Sequence, residues 1–182
     1  MPDKWEMDAE HPTDYQVVET KRGREFIIRL TTGADVFLAI QQFAKDNNIR
    51  FAKIHTMFMG GLQPAKFLVW TPDSKNPDNW HNETEMTVDN LTMVLAMSGM
   101  IHPRPVKGGQ VGEEEPFPAI HFVIGGGWNA PTVGGHLNIG TIVTGVVECF
   151  ITEVDGIEVL FPSNWRPVGF ADEFPENWYK EI

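Results

Sequence analysis

The 182-residue sequence predicts an α+β fold, a mainly antiparallel sheet with one principal helix at about residues 34–47. Two observations carry this. Short runs rich in Val, Ile, Phe and Thr recur along the chain between clusters of Gly, Pro, Asn and Asp, the pattern of strands joined by hairpin-type turns. Only Val36, Ile40, Phe43 and Ala44 keep a helical i, i+4, i+7, i+8 apolar stripe. One helix among about eight strands is an α+β arrangement.

Taken in order, residues 1–22 form a polar, acidic arm, unlike a signal or transit peptide. Glu25–Leu30 is the first strand. Thr32 and Asp35 have capping-box spacing, with Thr32 as N-cap, and Asn47-Asn48 suit a left-handed C-cap. Residues 49–59 alternate as a strand, with Lys53, His55 and Met57 on the polar face. Gly60-Gly61 turns the chain into a strand over 65–70. Residues 71–85 are loop, 86–101 a hairpin arm, and 102–116 a second loop holding the acidic triplet Glu113-Glu114-Glu115. Phe117 opens a strand that carries His121. A glycine-rich connector then leads to Gly134-Gly135-His136 and a long run over 139–154. Asp155-Gly156 signals a hairpin into a short strand ending at Phe161. The tail, 162–182, is dense in aromatics and acids and is expected to pack on the body or on a neighbouring subunit.

Composition narrows the function. With 42% hydrophobic and 21% charged residues the chain is an ordinary globular domain, and no apolar run is long enough to span a bilayer. A single cysteine, Cys149, cannot form an internal disulfide, which fits a cytoplasmic location. The net charge of −11 has the wrong sign for a broad phosphate-binding face. Arg22-Gly23-Arg24 resembles a minor-groove hook, but Glu25 stands where that motif needs proline. A DNA-binding patch would have to be built from Lys21, Arg22, Arg24 and Arg50. Gly125-Gly126-Gly127 lacks the spacing and the following helix of a phosphate loop.

The order and spacing of several segments resemble the plant-and-prokaryote-conserved (PPC) domain. They are Arg29-Leu30 with Gly33-Ala34-Asp35, Gly60-Gly61-Leu62, Leu95 to Gly99, and Gly134-Gly135-His136-Leu137 with Glu148. The resemblance spans about residues 24–153, within a domain at 23–161. It implies a homotrimer and a fold similar to that of acetolactate decarboxylases, which bind zinc through histidines. It also implies a DNA-binding label by analogy with plant members. PPC domains often read His-x-His before the glycine-rich connector; Ala119 replaces the first of that pair here. The expected metal ligands are therefore His121, His136 and His102, with Glu148 as a further ligand or supporting group and zinc or a similar divalent ion as the cofactor. The leading expectation is a trimeric binding or regulatory module. The alternatives are a metal-dependent enzyme acting on a small molecule at a subunit-interface pocket, and a structural trimer that binds a protein partner.

Overall fold

The computed structural model describes residues 17–58, 60–72, 82–106, 113–125, 132–159 and 179–182. His11, His81, Trp165, Phe170, Phe174 and Trp178 lie outside them, and so does most of the expected tail.

Among the described residues there is one helix, α1 (Val36–Asp46). The strands are β1 (Lys21–Thr31), β2 (Ala52–Phe58), β3 (Gly61–Leu62), β4 (Ala65–Thr71), β5 (Asn82–Val88), β6 (Thr92–Pro105), β7 (Glu114–Gly125), β8 (Val133–Leu137), β9 (Val143–Thr144), β10 (Val146–Asp155), β11 (Ile157–Val159) and β12 (Tyr179–Glu181). Ten of them make one sheet in the order β1-β10-β2-β6-β7-β8-β4-β5, with β3 bridging β6 and β9. Every pairing is antiparallel, so the expected α+β class with a mainly antiparallel sheet is found.

Side chains alternate across the pleat, and one face holds the core. Leu30, Ile54, Ile101, Ile120, Phe122, Leu137, Val147 and Ile151 are buried there beneath Val36, Phe37, Ile40 and Ala44 of the helix. No described helix is long and apolar enough to cross a membrane.

The cap of α1 differs from expectation. Asp35, not Thr32, is the N-cap: its Oδ1 accepts from the Leu38 amide at 3.1 Å, and its Oδ2 accepts from the Gly140 amide at 2.7 Å. Gly33, at φ 91°, turns the chain between Thr32 and the helix, so Thr32 bonds the backbone of Gly145 instead. Asn48 takes the left-handed conformation (φ 54°) past the helix end, as its sequence position suggests.

Further boundaries move, among them that of the expected loop over 71–85, where β5 already begins at Asn82. Strand β1 begins at Lys21, inside the expected arm. The expected loop over 102–116 is largely strand, because β6 runs to Pro105 and pairs with β7 from Glu114. Pro103 faces Pro116 in that register, a pairing that suits positions where no ladder amide is required. The run 139–154 is split by turns at Gly140 and Gly145, both at φ 93°. After Gly156, β11 pairs with β12 near the chain end and does not fold back on β10.

The alternation of β2 is also interrupted. The register with β10 jumps from Phe150↔Thr56 to Ile151↔Ile54, which leaves His55 as the extra residue of a β-bulge.

Candidate functional site

His121 and His136 face each other directly across the β7–β8 ladder. Opposed residues share a face of a sheet, and here it is the face away from the core. The same row continues from Ser98 on β6 through both histidines to Leu68 on β4 and Glu85 on β5. The two imidazoles meet edge to face with centroids 5.3 Å apart.

His102 lies on the same side, opposite Phe117. Phe117 is the hub of the cluster. Its ring centroid is 5.4 Å from His102 and 6.1 Å from His136, and the Arg104 guanidinium sits 4.4 Å over its face. The contact with Arg104 is a cation–π stack. Phe37 of the helix meets the same ring edge-on at 5.4 Å.

The hydrogen bonds fix two tautomers. Nδ1 of His102 is 2.9 Å from the Pro103 carbonyl, and Nδ1 of His136 is 3.0 Å from the Leu137 carbonyl. A carbonyl only accepts, so each Nδ1 carries its proton and each neutral ring keeps its lone pair on Nε2. Burial pushes the pKa of both histidines down from the ordinary imidazole value; the positive charge of Arg104 adds to this, as does each ring's histidine neighbour. Arg104 itself is shifted down by burial.

These depressed values have a consequence for stability, whose sign follows from proton linkage. Below about pH 6.5 the unfolded chain protonates these histidines before the folded chain does. Their contribution is therefore complete above that pH and is lost as the pH falls from there through the lower folded values. We expect the melting temperature to drop between pH 7.5 and pH 5.5, and the His102→Gln/His136→Gln variant to drop less. Equal slopes in thermal melts of the two proteins would refute the assignment.

The other sequence candidates lie elsewhere. Glu148 is on β10, with β2 and β6 between it and β7, and it receives Arg29 Nε at 2.8 Å. Lys21, Arg22 and Arg24 lie on β1 at the sheet edge, where Arg22 pairs with Glu25 and Arg24 with Glu153. Arg29, Lys45, Arg50 and Lys66 likewise each meet a glutamate. Glu114 and Glu115 of the acidic triplet are the partners of Arg50 and Lys45. Cys149 is buried, and desolvation pushes its thiol up to about 12, so it is an inert core residue.

Among the described residues no three of His, Cys, Asp or Glu converge closely enough to hold one ion. The arrangement thus supplies an adjacent imidazole pair, a third imidazole across Phe117, and a desolvated guanidinium. Arg104 was missed as a site residue in the sequence because 102–116 reads as a loop, and Phe117 because it reads only as the apolar opening of a strand. The signal was present: Arg104 is two residues beyond His102 and so shares its face once the stretch is a strand.

Comparison with known proteins agrees with this architecture. A metal-containing protein from Archaeoglobus fulgidus is 22% identical, with 77% of this chain and 86% of that one covered and a TM-score of 0.59. A PPC protein from Pyrococcus horikoshii is 21% identical over 78% and 86% of the two chains, also at 0.59. A candidate DNA-binding protein from Bacteroides thetaiotaomicron is 17% identical over 74% and 82%, at 0.54. At these identities the likeness is one of fold. Among curated proteins, none matches. The family model for the Plants and Prokaryotes Conserved (PCC) domain, the PPC domain above, matches residues 17–155, and the chain belongs to that family.

Proposed function

We propose that the chain is a homotrimeric binding module whose working surface is the histidine-bearing face of β6, β7, β8 and β4. One observation carries this: large apolar side chains remain exposed beside the histidine row. Met93, Leu95, Met100, Val123 and Trp70 are between 39% and 53% exposed. Apolar groups gathered on one face mark a contact surface more often than they stay in water. The number three comes from the family resemblance. Light scattering on the full chain is expected to give three times its 20.5 kDa mass, and a Met93→Glu/Val123→Glu variant is expected to fall to one chain. A wild-type monomer at tens of micromolar would overturn the proposal.

A second reading is favoured by the tautomers. The lone pair on Nε2 of His136, beside exposed His121 on the facing strand, suits one side of a divalent ion such as zinc. With Ala119 in place of the family's first histidine, the set is short of a full cage, so water, a small-molecule substrate or a neighbouring copy would complete it. The metal-containing protein from Archaeoglobus fulgidus, similar in fold, points the same way. Elemental analysis of untagged protein purified without chelator is expected to find about one ion per chain, lost in His121→Ala/His136→Ala. A metal-free wild type would remove the zinc reading, and with it the enzyme reading, but would leave the trimeric module standing.

Direct DNA binding is the reading with least support. The net charge is −11, and six described cations are each held by a glutamate. A phosphate would have to displace a carboxylate at each of these.

A further inference from the structure

On the same sheet face as the histidine row, but toward the opposite edge, β1, β10 and β2 frame an open concavity of about 640 Å³. Two bulges flank Thr152 of β10. One is the register shift in β1 between Arg22 and Glu25; the other is His55 in β2. Bulges re-aim side chains, and these two bring groups from strands on either side of β10 to one hydroxyl. Thr152 Oγ1 lies 3.2 Å from Glu25 Oε1 and 2.7 Å from His55 Nε2. Arg22 pairs with the same carboxylate oxygen of Glu25.

The proton count fixes this string. The ionised Glu25 carboxylate only accepts, so the single hydroxyl proton of Thr152 goes to it. Thr152 Oγ1 then accepts from His55, Nε2 carries the imidazole proton, and Nδ1 keeps a lone pair. Among the described residues no bond is made to Nδ1. Arg22 and Glu25 neutralise each other, so the recess has no net charge to offer a ligand. Its walls beside the string are Ile27, which is 66% exposed, and Phe150. A recess of this size with apolar walls and one fixed polar anchor is suited to a small molecule.

We propose that the recess binds a small uncharged molecule with an apolar body and one hydroxyl, the hydroxyl donating to Nδ1 of His55. Imidazole nitrogen NMR on the full chain tests the string, and titration with p-cresol and toluene tests the site. Nε2 is expected to be the protonated nitrogen of neutral His55. In Thr152→Val, which keeps the shape and removes the hydroxyl, both ring nitrogens move toward a mixture of tautomers. Both probes are expected to shift amides around residues 25–27, 55 and 150–152. One hydrogen bond should make p-cresol bind roughly five- to tenfold more tightly than toluene. In His55→Ala that ratio falls to about one, while retained toluene binding shows that the recess is intact. The proposal is overturned by a ring protonated on Nδ1, by no shift at these amides at millimolar probe, or by a p-cresol preference that survives in His55→Ala.

Discussion

Replacing Gly135 with alanine is expected to cost about 2–3 kcal/mol and to displace His136. Strand β8 is clasped between β7 and β4, and its two glycines make that possible. A Cβ on Gly135 would lie 2.6 Å from the Leu68 carbonyl oxygen and 2.8 Å from the Phe67 ring; one on Gly134 would lie 2.4 Å from the Phe122 carbonyl oxygen. Two of the three obstacles are backbone in paired strands and cannot swing aside. The strand must shift instead, and the imidazole of the next residue moves with it. Urea denaturation measures the cost, and the His136 ring resonances report the displacement. Gly33→Ala is the comparison, because its Cβ meets nothing within 4 Å and only the positive φ is penalised, at about 1 kcal/mol. A Gly135→Ala variant no less stable than Gly33→Ala would refute the close-approach account.

Ile120→Ala should have an effect of similar or larger size, about 2–5 kcal/mol. Ile120 is fully buried at the centre of β7, directly opposite Gly99 of β6. Gly99 has no side chain to relax into the space, and its Cα is fixed by the ladder, so the cavity stays open. The loss would appear as a lower midpoint of denaturation with an unchanged slope. Ile27→Ala removes the same atoms from an exposed position and should stay within about 0.5 kcal/mol. Equal costs for the two would show that burial is not what sets them.

The fold was legible where local chemistry is strong. The apolar stripe of α1, the asparagines at its end, the glycine pair before His136 and the placing of His121 and His136 on either side of a glycine-rich connector could all be read from spacing. The connections were less legible because their outcome depends on partners far along the chain. Residues 102–105 carry prolines and look like loop, yet β7 supplies a ladder at positions that need no proline amide. Thr32 fits a cap by spacing, but the turn at Gly33 hands that role to Asp35. The same limit hid Arg104 and the relation of His55 to Glu25, which are 30 residues apart in sequence and meet only through Thr152. Bulges leave no periodic trace in sequence, so the strict alternation read for residues 49–59 could not reveal that His55 falls out of register.

The two oxygens of Asp35 have a kinetic implication. One holds an amide in the first turn of α1, the other an amide in the turn between β8 and β9, 105 residues away. Neither amide can be freed by fraying of its own element while the carboxylate stays in place. The helix start and that turn therefore open together, as one unit of hydrogen exchange. Leu38 and Gly140 should lose protection with the same opening free energy, although they belong to different elements.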